Sequence, residues 1–149
     1  MDQIISLLKK FQANSVVLYS TAHGFHWNVE GPLFTQYHAF FEKIYTDIYE
    51  TIDTIAEFLR KYDTPAPYTL QDFTIANTYG DVQVDSNSPI AMSKQLLSMI
   101  ETMISEVKVL FDEATLQKEQ GLANFLADRQ DQLEFHAWWL RASLKQTVN

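Results

Sequence analysis

The stretch DTPAPYTLQDFTIANTYGDVQVDSN, residues 63–87, separates two long segments that have helical periodicity. Its prolines stop the preceding helix, and its roughly 25 residues can span the length of a 30-residue helix, about 45 Å, with chain left for a short helix near 70–75. A connection of this length lets the flanking helices run parallel, whereas a short corner makes them antiparallel. The stretch therefore predicts a helical bundle with one long crossover.

Working outward from the crossover, the periodicity predicts four long helices. The first covers about 3–28 and the second about 32–62, with a corner at Gly31-Pro32. The third begins at Ser88-Pro89 and runs toward Gln120, and Gly121 separates it from a fourth helix. The predicted fold is all-α: a ferritin-like four-helix bundle, in one domain over 1–149, whose crossover carries a short helix between helices two and three. An up-down-up-down bundle, which needs only a short loop there, is the alternative.

The composition restricts the partners of the chain. It has 149 residues, no cysteine and a formal net charge of −8 at pH 7. Disulfides and cysteine chemistry are excluded, so a metal would bind through imidazole and carboxylate. The acidic balance opposes binding to phosphate backbones and favours metal cations. No apolar run reaches the roughly 18 residues of a membrane span, and the N-terminus does not have the order of a signal peptide, so we expect a cytoplasmic protein.

The second predicted helix carries two neighbouring faces. Six apolar residues form a narrow stripe that we assign to the bundle core: Phe41, Ile44, Ile48, Ile52, Ile55 and Leu59. Beside this stripe runs a second strip of polar and aromatic residues: His38, Glu42, Tyr45, Tyr49, Asp53 and Glu57. The remaining face is predicted to lie in solvent and contains Lys43, Asp47, Glu50 and Lys61.

The second strip holds two pairs of candidate metal ligands, each pair four residues apart: His38 with Glu42, and Asp53 with Glu57. Acids at this spacing are also typical of a solvated flank, and that interpretation stays open. Imidazole and carboxylate together suit iron or zinc better than calcium or magnesium. One chain cannot join the two pairs around one metal, because His38 and Asp53 lie about 22 Å apart along a helix.

A two-fold axis through the middle of the second helix would join the pairs. When a helix lies antiparallel to its own copy, facing residues have a constant sum of residue numbers. That sum is the same for His38 with Glu57 as for Glu42 with Asp53. One dyad would therefore create two equivalent sites between two subunits.

His26 is a further candidate ligand, because it can fold back over the corner toward His38; alternatively it caps or packs near the helix end. A metal centre inside one bundle would use Glu-x-x-His pairs, and the sequence contains none. An ordinary ferritin-type centre is therefore disfavoured.

These residues resemble the Dps family, the miniferritins named as DNA-binding proteins from starved cells. The resemblance covers nearly the whole chain and rests on HWNVEGPLF at 26–34, on the second strip and on EFHAWWLRASL at 134–144. It implies that His26 and His38 of one subunit, with Asp53 and Glu57 of its two-fold mate, bind iron at a di-iron ferroxidase centre between subunits. Glu42 matches an acidic ligand or an acid beside the ligands. The implied assembly is a hollow homo-dodecamer that oxidises Fe(II), usually with hydrogen peroxide in preference to dioxygen, stores ferric mineral and protects against oxidative damage.

The resemblance also implies roles for residues outside the ligand set. Trp27 matches a tryptophan beside the centre and is the candidate redox partner, with packing at the dimer interface as the alternative. His23 and His136 receive no ligand role, and we assign them to packing. Three acids near the fourth helix are candidates for an iron-admitting three-fold pore, or else belong to a solvated face: Glu119, Asp128 and Asp131.

DNA binding is doubtful for this chain. DNA-binding members carry a Lys/Arg-rich tail, whereas here the helical pattern begins within about three residues of Met1 and the sequence closes with KQTVN. A DNA-compacting shell whose iron chemistry is secondary remains the alternative function. A helical shell without metal chemistry is a further one.

Overall fold

A computed structural model describes residues 1–145. Its helices are α1 (Asp2–Asn28), α2 (Phe34–Lys61), α3 (Leu70–Ala76), α4 (Pro89–Leu116) and α5 (Gln120–Leu144). Over this range the chain forms no β-strand. Four long helices and a short helix in the crossover confirm the predicted all-α fold. Residues 146–149, the last four of the closing KQTVN segment, lie outside the described range.

Three helix ends and the position of Gly121 differ from the prediction. Gly121 lies in the first turn of α5, which begins at Gln120, so it does not separate the last two long helices as the sequence predicted. Each of the three helix ends has a local cause. α2 begins at Phe34 rather than Pro32, because Gly31 adopts a φ of +118° and the Phe34 amide closes a tight turn on the Gly31 carbonyl at 3.0 Å. α2 and α4 each end just before a residue with positive φ, Asp63 at 54° and Lys118 at 61°. Left-handed backbone at such positions terminates a helix.

Contacts between helices establish their directions. Phe40 on α2 packs on Trp139 of α5, and further along α2 Phe58 packs on Phe125, so these two helices are antiparallel. α4 is also antiparallel to α5, since Glu101 pairs with Arg141 and Lys108 pairs with Glu134. It follows that α2 and α4 are parallel. The crossover therefore produces the predicted arrangement and excludes the up-down-up-down bundle.

Buried polar contacts attach the crossover to the bundle. Asn14 on α1 is fully buried, donates to the Glu106 carboxylate of α4 at 2.8 and 2.9 Å, and accepts from the Thr78 amide at 2.8 Å. The Tyr79 hydroxyl donates to the Met99 carbonyl at 2.8 Å. Burial, reinforced by the negative charge of Glu106, raises the pKa of Tyr79. The crossover is thus held against both α1 and α4.

The core follows the predicted apolar stripe of α2. All six stripe residues are buried except Ile52, which is half-buried. Each of the other long helices contributes fully buried aliphatic side chains to the same core, among them Leu8, Leu18, Leu96, Ile100, Leu126 and Leu133. Among the helices of 1–145, none is long and apolar enough to span a membrane.

Candidate metal centre

Two histidines meet where α1 ends and α2 begins. Nδ1 of His26 lies 2.7 Å from the carbonyl oxygen of His38, and Nδ1 of His38 lies 2.7 Å from the carbonyl oxygen of His26. Because a carbonyl oxygen only accepts, both Nδ1 atoms carry hydrogen and donate. The two rings stack with their centroids 3.6 Å apart. In the neutral imidazoles this leaves both Nε2 lone pairs free, so the pair could hold a metal ion.

The corner between α1 and α2 positions this histidine pair. His26 lies in the last turn of α1 and is buried, whereas His38 lies near the start of α2 and is half-buried. The Glu30 amide donates to the Asn87 carbonyl at 3.0 Å, which connects the corner to the end of the crossover. The ring of Phe34 packs beside that of His38, with centroids 4.9 Å apart. The imidazoles are therefore held by backbone acceptors and by neighbouring packing.

The predicted carboxylate ligands lie apart from the histidines. Asp53 and Glu57 are exposed on α2, and the helical rise places Asp53 about 22 Å from His38. Glu42 is exposed one turn after His38. Within 1–145 of a single chain, no three His, Asp or Glu residues are grouped closely enough to hold a metal ion. Each chain thus presents a histidine end and a carboxylate end on the second strip of α2.

Aromatic rings surround the histidine end. Trp27 is 65% exposed and packs on His23, with centroids 4.1 Å apart. On its other side, His23 stacks on Tyr45 at 4.0 Å, and Tyr45 meets the edge of His26 at 5.1 Å. The Tyr19 hydroxyl lies 3.0 Å from Nδ1 of His23. Burial, followed by the negative charge of Glu42, raises the pKa of Tyr45. His23, which the sequence assigned to packing alone, therefore belongs to the aromatic cluster beside the candidate centre.

The prediction that Asp47 lies on the solvent face of α2 is wrong. Its carboxylate accepts two hydrogen bonds from Arg129 at 2.9 and 3.0 Å and one from Nε2 of His136 at 2.8 Å. Burial alone would raise the pKa of Asp47, but the hydrogen bonds and charges of His136 and Arg129 hold it well below its usual range. α2 is buried on two sides, against α1 and against α5. The side facing α5 carries this polar group because Arg129 and His136 satisfy it.

The three predicted pore acids lie in different settings. Glu119 precedes α5 and accepts a hydrogen bond from the Tyr62 hydroxyl at 3.2 Å. Burial, together with the charge of Glu119 and this hydrogen bond, raises the pKa of Tyr62 to about 12. Asp128 and Asp131 are exposed on α5. Their role in a pore stays a prediction.

Exposed apolar side chains surround the second strip. On α1, α2 and their corner these are Trp27, Leu33, Phe34 and Tyr49, and on the crossover Tyr68 lies next to Asp53. A groove of about 490 Å³ next to Asp53 is lined also by Tyr49 and Tyr68. Exposed apolar residues in such number near one helix face are typical of a protein interface.

Comparisons with known proteins agree with the fold and with the sequence motifs. The family model described as a ferritin-like domain matches residues 5–148. A protein named "DNA protection during starvation protein" from Brevibacillus brevis is 32% identical over 97% of this chain and 97% of its own. The crystal structure of a Dps protein from Bacillus brevis is 31% identical, has a TM-score of 0.91, and is matched over 97% of this chain and 96% of that one.

A second solved structure, a Dps protein from Vibrio cholerae, is 25% identical and has a TM-score of 0.92 over 97% of this chain and 90% of that one. It is described as a member of a broad superfamily of ferritin-like diiron-carboxylate proteins. The matches cover all four long helices and the crossover. This chain therefore belongs to the Dps family within the ferritin-like superfamily.

Proposed function

We propose that this protein is a cytoplasmic ferroxidase that oxidises Fe(II), with hydrogen peroxide or dioxygen as oxidant, and stores the ferric product. Each centre would take His26 and His38 from one subunit and Asp53 and Glu57 from the two-fold mate. Glu42 would act as a further ligand or as an acid beside the ligands. Iron here is the substrate and the stored product.

The crossed hydrogen bonds of His26 and His38 are the observation that carries this proposal. They orient both Nε2 atoms as acceptors on rings 3.6 Å apart, and backbone carbonyls hold both Nδ1–H groups. Hydrogen bonding at the second ring nitrogen is typical of histidines that bind metals. Histidines that only pack against each other would not require the backbone to fix the same tautomer in both rings.

The position of the carboxylates supports an intersubunit site. Asp53 and Glu57 are exposed and too far from His38 to serve the same metal within one chain. A dyad through the middle of α2 would bring these acids to the histidines of a second subunit. The exposed apolar side chains Trp27, Phe34 and Tyr49 lie on or beside the same strip, which favours its burial in a dimer.

The ligand chemistry fits the reaction. Imidazole binds Fe(II) at neutral pH, and carboxylates favour the more highly charged Fe(III). Two Fe(II) ions together provide the two electrons that reduce one hydrogen peroxide to two hydroxide ions, which limits the release of hydroxyl radical. Further assembly of dimers into a hollow dodecamer would enclose the ferric product, and Glu119, Asp128 and Asp131 would line its pores.

Anaerobic titration of the purified oligomer with Fe(II), followed by addition of hydrogen peroxide, tests the proposal. We expect saturation at about one to two irons per subunit and oxidation of about two irons per peroxide. The variant combining His38→Ala and Asp53→Ala should lose rapid oxidation and remain a helical oligomer. Glu50→Gln, an exposed acid on α2 outside the second strip, is the matched control. A double variant with wild-type rates would refute the site, and the absence of saturable binding would refute the function.

A further inference from the structure

Tyr19 and His23 form a hydrogen-bonded pair that the ligand set does not use. They lie one turn apart on α1, both half-buried, with the Tyr19 hydroxyl 3.0 Å from Nδ1 of His23. When His23 carries its hydrogen on Nε2, the phenol donates to Nδ1. Helical spacing alone would place the two rings side by side, but it does not require the hydroxyl to point at the imidazole nitrogen.

The pair is connected to the candidate centre through ring contacts. His23 lies between Trp27 at 4.1 Å and Tyr45 at 4.0 Å, measured between ring centroids. Tyr45 contacts His26 at 5.1 Å, and Tyr19 lies 6.2 Å from Tyr45. Electron transfer between aromatic rings at these distances is fast. A one-electron oxidation that begins near His26 can therefore reach Tyr19.

Oxidation of a tyrosine at neutral pH requires an acceptor for its phenolic proton, because the ordinary phenol has a pKa near 10, whereas its oxidised form is strongly acidic. Tyr49 also packs on Tyr19, with ring centroids 5.1 Å apart, so the cluster contains three tyrosines: Tyr19, Tyr45 and Tyr49. Within 1–145, Tyr19 is the one of these whose hydroxyl contacts an imidazole nitrogen. A neutral imidazole is a suitable acceptor in this pH range.

We propose that Tyr19 and His23 are a proton-coupled redox pair that neutralises one-electron oxidants formed at the candidate centre. The inference rests on the proposed function for the source of the oxidant. A single Fe(II) that reduces hydrogen peroxide by one electron becomes Fe(III) and produces hydroxide and hydroxyl radical. The hydroxyl radical takes one electron from Trp27 and becomes hydroxide. Tyr19 then returns an electron to Trp27 while its phenolic proton moves to Nδ1 of His23.

A second Fe(II) completes the cycle. It passes one electron to the Tyr19 radical and becomes Fe(III), and His23 returns the proton to the phenolate oxygen. The sum is two Fe(II) oxidised and one peroxide converted to two hydroxide ions, with Trp27, Tyr19 and His23 restored. The pair thus lets a peroxide that has met a single Fe(II) be reduced completely without escape of the radical.

Pulse radiolysis of the iron-free oligomer with azide radical, a one-electron oxidant that prefers tryptophan, tests the pair without iron. We expect the tryptophan radical signal to decay in a fast phase as a tyrosine radical signal grows, and this phase should slow in D₂O. Tyr19→Phe and Trp27→Phe should each lose the fast phase, and His23→Leu should lose it or slow it strongly, because Tyr19 then has no acceptor for its phenolic proton. Tyr68→Phe, which changes an 85% exposed tyrosine of the crossover, should retain it.

Two outcomes would overturn the proposal: a fast phase that persists in Tyr19→Phe, in His23→Leu or in Trp27→Phe, or the absence of a fast phase from the wild-type protein. Because Trp27 is largely exposed, its variant tests the pair even if Tyr19→Phe folds poorly. If the fast phase is observed but the Fe(II) titration shows no saturable binding, the redox role of Tyr19 and His23 stands and the proposed function is refuted. With one Fe(II) per centre and peroxide, freeze-quenched samples should show a tyrosyl radical by electron paramagnetic resonance that Tyr19→Phe lacks.

Discussion

His26 and His38 each donate from Nδ1 to the other's backbone carbonyl at 2.7 Å, so the backbone at the α1–α2 corner determines where both imidazoles point. The corner depends on Gly31, whose φ of +118° is rarely adopted by residues with a side chain. The ligand geometry is therefore sensitive to a residue that binds no metal.

Replacing Gly31 with Ala should weaken Fe(II) binding by about tenfold or more, because the strained corner displaces the two carbonyls that orient the histidines. Anaerobic titration of the variant measures this affinity. Gly24→Ala is the control, since Gly24 lies inside α1 with open space around its Cβ position and should gain stability slightly. Equal Fe(II) affinity in Gly31→Ala and the wild-type protein would contradict the positioning role of the corner.

Complementation between two inactive variants should reveal an intersubunit site. One variant lacks the histidines (His26→Ala with His38→Ala), and the other lacks the acids (Asp53→Ala with Glu57→Ala). In a mixed dimer one of the two sites regains all four side chains, so randomly mixed oligomers should recover about a quarter of the wild-type oxidation rate. The measurement is the initial rate of Fe(II) oxidation after the variants are unfolded and refolded together. Mixtures as inactive as either variant alone would contradict an intersubunit site.

The Asp47→Asn variant should be less stable by roughly 2–4 kcal/mol, because Arg129 remains buried without its counter-charge. Chemical denaturation at a fixed protein concentration measures the loss. Glu101→Gln is the control. Glu101 lies 3.6 Å from Arg141, and both side chains are about half exposed, so this ion pair contributes little to stability. A loss in Asp47→Asn no greater than in Glu101→Gln would show that the buried contacts do not stabilise the fold.

The same carboxylate predicts a pH dependence of stability. In the folded protein the pKa of Asp47 lies below its unfolded value. The ionised Asp47 carboxylate therefore stabilises the fold fully above about pH 5 and progressively less as the pH falls further. The stability difference between the wild-type protein and Asp47→Asn should therefore narrow at acidic pH. Denaturation curves at several pH values measure it, and a difference that widens on acidification would contradict the assignment.

Local features of the sequence predict the fold and the histidine half of the candidate site. Prolines and glycines mark the corners, and the length of the crossover implies parallel helices. By contrast, the partners of Asp47 lie 82 and 89 residues away, and helical periodicity on α2 cannot reveal them. The contact of Tyr19 with His23 had a local signal in their spacing of four residues, but spacing does not specify where a hydroxyl points. Pairing of the carboxylates with the histidines depends on a second subunit, so it stays a prediction.

Asn14→Ala should release the crossover, because the substitution leaves the Glu106 carboxylate and the Thr78 amide without their buried partner. We expect a loss of roughly 1–3 kcal/mol, together with faster hydrogen exchange at the Thr78 amide than at amides in the middle of α2. Thr102→Ala removes only an exposed hydroxyl that donates to a carbonyl on its own helix, and it should change little. Unchanged exchange at Thr78 would show that other contacts hold the crossover.

DNA should bind weakly, despite the wording of the relative's name. With a net charge of −8, each subunit repels the phosphate backbone, and attraction would have to come from small local groups of lysine and arginine. Gel-shift assays at about 150 mM salt should show no retardation of duplex DNA, and any retardation at low salt should disappear steeply as salt is added. Stable complexes at about 150 mM salt would favour a DNA-compacting shell, and they would require a basic surface created by assembly.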